Sequence, residues 1–177
     1  MSDRLKLVIF DVDGTLVDSQ AAIVGAMTGA FAAVGAPLPE RQVLLSIVGL
    51  SLDRAMAELA PDLEAAVLAQ MVEAYKEAYH AHRLETGAAS MPLYPGAIET
   101  LEALSAMPDV LLGVATGKSR RGLDAMIEVH GMGRLFITRQ VADDHPSKPH
   151  PSMILTAMAE TGVDAADTVM IGDTEFD

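Results

Sequence analysis

Two acidic loops, each closing a short apolar run, hold the residues best suited to chemistry. The first is Asp11-Val12-Asp13-Gly14-Thr15-Leu16, which follows Lys6-Leu7-Val8-Ile9-Phe10. An apolar run with β-branched members, stopped by an acidic turn, predicts a buried strand with its chemistry at the carboxyl end. If the chain stays extended through Val12, Asp11 and Asp13 point to one side of it. Gly14 then permits the turn that a side chain would hinder. Two neighbouring carboxylates repel each other, so the pair calls for a bound proton or a cation, and a hard divalent ion such as Mg²⁺ fits. The second loop, Gly172-Asp173-Thr174-Glu175-Phe176-Asp177, follows Thr168-Val169-Met170-Ile171 and supplies the further carboxylates an oxygen-ligand Mg²⁺ site would need. A calcium loop of EF-hand type fails, because the positions that require Gly and Glu, counted from Asp11, are Leu16 and Ala22. A strand end with solvated acids remains the plain alternative.

Two further stretches lie between these loops. Val110-Leu111-Leu112-Gly113-Val114-Ala115 predicts a second buried strand and leads into Thr116-Gly117-Lys118-Ser119. A nucleotide P-loop is excluded by spacing, since Gly113 and Gly117 enclose three residues where four are required. The alternative is that the Thr116 hydroxyl and the Gly117 backbone N–H meet a phosphate at a strand end and helix start. Lys148 stands in Pro146-Ser147-Lys148-Pro149-His150-Pro151, whose prolines stiffen the backbone around it. Taken by itself, that lysine reads first as a solvated surface charge.

These loops must be positioned by the elements between them. A helix beginning near Ser19 carries Ile23, Met27, Phe31 and Val34 at helical spacing. Helical patterns continue over 40–48, 52–60 and 63–84, with Ser51, Asp53 and Asp62 as helix-start residues and Gly35 and Gly87 as helix ends. His80 and His82, two apart on the last of these helices, face different sides and read as surface residues rather than metal ligands. Helices over 97–106, 120–130 and 152–160 alternate with strands at 110–115, 135–138 and 168–171. Alternation of this kind implies parallel βαβ units, hence an α/β doubly wound parallel sheet with ligands beyond the carboxyl ends of its strands.

Composition narrows the function further. Half of the 177 residues are hydrophobic, aromatics make up only 4%, and 11 Met help to fill the core. No cysteine is present, which excludes disulfides and thiolate metal sites and fits a reducing, cytoplasmic setting. The net charge of −13 argues against a nucleic-acid partner. Lys118, Arg120 and Arg121 form the single basic cluster. No signal peptide is expected, since the first apolar run is short and ends in Asp11. The uncharged stretch 19–39 contains Gly25-x-x-x-Gly29, a spacing used by membrane helix pairs. Its Ala and Gly content and the closing Pro37 and Pro39 speak instead for a helix in a globular protein.

Asp-x-Asp-Gly-Thr-Leu after an apolar strand resembles the first motif of the haloacid dehalogenase superfamily, and Val17-Asp18-Ser19 is similar to its phosphoglycolate phosphatase-like branch. Thr116, Lys148-Pro149 and Gly172-Asp173-Thr174-x-x-Asp177 are similar to the second, third and fourth motifs, in the right order. The resemblance implies a Rossmann-like core from 1–15 and 92–177 with an inserted helical cap, 16–91. It implies a Mg²⁺-dependent phosphatase for a small phosphorylated metabolite, working through an aspartyl-phosphate. Asp11 would be the nucleophile and Asp13 the general acid and base. Asp11, the Asp13 carbonyl and Asp173 would hold the metal, with Asp177 in support. Thr116, Gly117 and Lys148 would bind the phosphoryl group, and Gly49 and Ser51 would reach the site from the cap and govern specificity. Asp13 speaks against dehalogenase activity; a sugar-phosphate mutase and a catalytically silent phosphate-binding protein remain the competing readings. The family pattern continues past Asp177, so the chain is expected to be truncated, with an open sheet edge at 168–171 that tends to self-associate.

Overall fold

The computed structural model describes residues 4–177. Four parallel strands form one sheet in the order β3-β2-β1-β4: β1 (Lys6–Phe10), β2 (Val110–Thr116), β3 (Thr138–Val141) and β4 (Thr168–Ile171). The central β1 pairs with β2 from Lys6↔Val110 to Phe10↔Val114, and with β4 from Leu7↔Thr168 to Phe10↔Ile171. Its alternating side chains are taken up on both faces. Phe10 joins Leu112 and Val114 under α5 (Ala97–Ser105) and α6 (Arg120–Val129), through Leu101, Leu123 and Met126. Leu7 and Ile9 meet Met153 and Ala157 of α7 (Ser152–Thr161) on the opposite face. A strand sandwiched in this way reads as a continuous apolar run, as β1 does.

The chain runs outward from β1 through β2 to β3, then returns by α7 to place β4 on the other side of β1. That reversal leaves a crevice at the carboxyl ends of β1 and β4, where ligands of open α/β sheets bind. Asp11 follows β1 and Asp173 follows β4, so strand order alone brings the two acidic loops together. On β4, Val169 and Ile171 remain 50% and 39% exposed.

Between β1 and α5 stand four α-helices: α1 (Gln20–Ala33), α2 (Arg41–Leu45), α3 (Leu52–Leu59) and α4 (Ala65–Thr86). They enclose an apolar cluster of their own around Met27, Phe31, Leu44, Met56 and Met71. A methyl added at Gly29 would lie 3.2 Å from the Ala78 side chain, so the small residues of α1 serve its close packing on α4. None of the described helices is long and apolar enough to cross a membrane. The chain enters and leaves this block along two adjacent segments. Asp18 N–H donates to Pro92 O and Tyr94 N–H to Leu16 O, both at 2.9 Å. Leu16, Val17 and Met91 pack with the sheet-side cluster.

Local boundaries differ from expectation in three places. The third strand begins at Thr138 rather than Leu135, because Phe136 is buried from the turn and the polar segment Thr138-Arg139-Gln140 makes the ladder. Thr138 and Gln140 are tolerated there because both donate to Glu160, at 2.6 and 2.8 Å. The helix expected over 40–48 stops at Leu45 and frees 46–51 as a loop. Asp62 lies in a turn, and Glu64 precedes α4 instead.

Candidate active site

Asp11 leaves the end of β1 fully buried, with its N–H donated to Ile171 O at 2.9 Å. Its carboxylate is held on one side only. Lys148 Nζ donates to Asp11 Oδ1 at 2.9 Å and to Asp177 Oδ1 at 2.5 Å, while Asp11 Oδ2 is buried without any hydrogen-bond partner. Burial pushes the Asp11 carboxyl up to about 7 against the pull of Lys148, with Asp177 and Asp13 adding to the rise. Burial would raise Asp177 as well, but Lys148 and the Thr174 donors outweigh it and hold that carboxyl below its usual range. Asp177 Oδ2 accepts from Thr174 N–H at 3.0 Å and Thr174 Oγ1 at 2.8 Å.

Asp173 completes the group. One carboxylate oxygen from each of Asp11, Asp173 and Asp177 lies within 4.8 Å of the others. Thr15 Oγ1 fixes Asp173 by donating to Oδ1 at 3.0 Å. Gly14, at φ +93°, leaves the room Asp173 occupies, because an added Cβ would fall on its carboxylate; one at Gly172 would fall on Asp177. Three gathered acids, two of them sharing one ammonium and one with an orphaned buried oxygen, suit a hard cation that takes oxygen ligands. The residues present therefore fit a divalent metal.

Asp13 takes a different direction. The strand ends at Phe10 instead of running on through Val12, and Asp13 Oδ1 lies 2.9 Å from Lys118 Nζ rather than among the other acids. The contact is an ion pair without hydrogen-bond alignment, and Asp13 Oδ1 keeps no donor. Burial works against the Lys118 charge, yet Asp13 beside it holds the ammonium above its usual range. Lys118 also donates to Tyr79 Oη at 3.2 Å and sits 5.2 Å from the centre of that ring. The sequence groups Lys118 with Arg120 and Arg121 in one basic cluster. That cluster disperses, with Arg120 on Asp144 at 2.7 Å, Lys118 on Asp13 and Arg121 beside His80. The available signal was position, since Lys118 follows Thr116-Gly117 at the same strand end. Thr116 is fully buried, its Oγ1 accepting from Lys118 N–H at 3.2 Å.

The helical block closes over these residues. At Gly117 an added Cβ would meet Leu50 O at 2.5 Å and Gly49 O at 2.6 Å, so this glycine is the seat of the 48–51 loop. Gly49, at φ +104°, rests against Thr174, and Ser51 N–H donates to Ser147 Oγ at 2.9 Å, one residue before Lys148. Phe176 reaches from the β4 loop into the helical cluster. Beneath lies a cavity of about 520 Å³ whose walls include Asp11, Asp13, Thr116, Gly117 and Lys118. His80, expected at the surface, is half-buried in that wall because α4 lies across the cavity mouth.

Comparisons to known proteins agree with this fold. Residues 8–177 match the family model described as haloacid dehalogenase-like hydrolase. Probable phosphatase IndB of Dickeya dadantii is 37% identical over 97% of this chain and 74% of its own length. Phosphoglycolate phosphatase of Agrobacterium fabrum is 33% identical over 95% of this chain and 72% of its own. Among solved structures, a haloacid dehalogenase-like hydrolase of Streptococcus pneumoniae superposes with a TM-score of 0.80 at 27% identity, covering 100% of this chain and 79% of its own. The chain belongs to the haloacid dehalogenase-like hydrolase family. Within that family it stands with the phosphatases.

Proposed function

We propose that the chain is a Mg²⁺-dependent phosphatase that hydrolyses a small phosphorylated metabolite, a phosphoglycolate-like phosphomonoester, through an aspartyl-phosphate on Asp11. The observation that carries this reading is the divided environment of Asp11, a residue of the cavity wall, with one oxygen held by Lys148 and the other buried without a hydrogen-bond partner. In that reading Asp11 Oδ2 forms a bond to phosphorus as the bond to the leaving oxygen breaks, with Lys148 holding the carboxylate in line. Asp13 gives a proton to the leaving oxygen, then takes one from the water that displaces phosphate from Asp11. Thr116, Gly117 and Lys148 receive the phosphoryl oxygens. Asp11, the Asp13 carbonyl and Asp173 would hold Mg²⁺, with Asp177 in support. When bound, the ion supplies positive charge between an anionic nucleophile and an anionic substrate. Residues 16–91 act as the cap, with Gly49 and Ser51 in the loop that governs specificity.

The test is phosphate release from an aryl phosphate with and without Mg²⁺. EDTA should abolish release, and Asp11→Asn should lower it by roughly 10³-fold or more, as loss of a covalent nucleophile does. Full activity in Asp11→Asn would remove the mechanism.

A further inference from the structure

Away from the cavity, on the side of the sheet covered by α7, a chain of polar side chains leads from Glu160 to the loop that carries Lys148. Glu160 Oε2 accepts from Thr138 Oγ1 at 2.6 Å and from Gln140 Nε2 at 2.8 Å. Gln140 Nε2 also donates to Thr138 Oγ1 at 2.7 Å. An ionised carboxylate only accepts, so the NH₂ end of the buried Gln140 amide must face Glu160, and its oxygen is turned the other way. That oxygen lies 2.8 Å from His145 Nε2. An amide oxygen only accepts, which places a proton on Nε2 in the neutral ring and in the charged one alike. In the neutral ring Nδ1 is then the acceptor, and Ser152 Oγ donates to it at 2.8 Å.

His145 and Ser152 are the two ends of one loop, so their contact closes it at the base. Lys148 stands midway, its ammonium on Asp11 and Asp177. Pro146, Pro149 and Pro151 have no N–H to donate, and the bond inside the loop among the described backbone groups is His150 N–H to Ser147 O at 3.1 Å. The loop therefore depends on side chains for its hold on the core. A polar network whose members are all satisfied is rigid, and this one ends where the Lys148 loop begins.

Resting on the phosphatase reading above, we propose that His145 is a positioning residue for the reaction: held by Gln140 and Glu160, it fixes the base of the 145–152 loop and so the placement of Lys148 against Asp11. His145 itself touches neither the nucleophile nor the cavity. Lysine is a flexible chain of four methylenes, so the set of its backbone decides where the charge stands. An error of about 1 Å in the placement of a reacting group costs on the order of 10²-fold in rate.

The experiment reads two quantities on the whole 177-residue chain. One is kcat/KM for an aryl phosphate with Mg²⁺. The other needs no turnover: the rate at which acetic anhydride labels Lys148, by mass spectrometry, with exposed Lys6 as reference and buried Lys118 as the control for general loosening. His145→Leu should lower kcat/KM by about 10²-fold and raise labelling of Lys148 severalfold, with Lys118 unmoved. His145→Gln, which can return an N–H to the Gln140 oxygen, should restore both to within a few-fold of the unaltered chain. Glu160→Ala, at an exposed position on α7, unfastens the amide from its far end and should act in the same direction. Added to His145→Leu it should change little, since both cut one chain. Should His145→Leu fail to fold, Glu160→Ala is scored by the same two readouts. Unchanged Lys148 labelling, labelling that rises in step with Lys118, kcat/KM that stays level while stability falls, or no rescue by glutamine overturns the proposal. No turnover by the unaltered chain would count against the phosphatase reading alone, because the labelling ratio scores the brace without it.

Discussion

At Lys148 a single ammonium serves two carboxylates, 2.9 Å from Asp11 and 2.5 Å from Asp177, with 4% of its side chain exposed. Removing one member of a buried ion group leaves the remaining charge uncompensated, which costs about 3–5 kcal/mol. Lys148→Met is accordingly expected to lower unfolding free energy by that amount in urea titrations. A loss under about 1 kcal/mol, the level of an exposed pair, would mean that the lysine does not balance both acids. Asp13 makes a different prediction. In the proposed mechanism it transfers protons, so Asp13→Asn should abolish turnover yet leave affinity for inorganic phosphate within a few-fold. Equal loss of both would contradict that role. Asp11, Lys148 and Asp173 were legible as residues, because each stands in a short pattern of acid, Gly or Pro at a strand or helix end. The pairing of Asp13 with Lys118 was not, since it depends on the strand stopping at Phe10 instead of carrying Asp13 alongside Asp11.

Among elements, the decisive contact joins the 48–51 loop to the turn after β2. At Gly117 the approach is close, with the Gly49 and Leu50 carbonyls where a side chain would stand. Backbone does not yield as a flexible side chain does, so Gly117→Ala should hold this loop away from Thr116 and Lys148. The expected result is a KM for aryl phosphate raised at least severalfold, with unfolding midpoint little changed because the sheet core is untouched. An unaltered KM would show that closure of this loop is not needed for binding. Helices α1, α3 and α4 and strands β1, β2 and β4 were readable from periodicity. Strand β3 was displaced in the reading because Leu135 and Phe136 carry the apolar signal while polar Thr138 and Gln140 carry the pairing. Contacts with Glu160 of α7 and with His145 make those polar residues acceptable in a strand.

On the scale of the molecule, a net charge of −13 accompanies a site where three carboxylates gather and one lysine pairs with two of them. A cation that binds the folded site and not the unfolded chain stabilises by mass action, by about 2.7 kcal/mol at a hundredfold excess over its dissociation constant. Thermal scans should show the unfolding midpoint rising steadily with Mg²⁺, and Gly14→Ala, which crowds Asp173, should flatten that rise. A midpoint indifferent to Mg²⁺ would count against a metal at this cluster.

The amino-acid sequence by itself determined the layered α/β plan, the two acidic loops at strand ends and the residues Asp11, Thr116, Lys148 and Asp173. Strand burial, helix period and turn chemistry are local, and a few neighbouring residues are enough to express them. The tertiary structure alone decided which charges meet. Lys148 reaches Asp11 across 137 positions, and Arg121 reaches His80 across 41. Lys118 meets Tyr79 only because α4 is laid over the ends of the strands. Partner choice of this kind is set by strand order and by how the helical block seats on the sheet. Both are products of packing many distant apolar residues at once, and no local pattern encodes them.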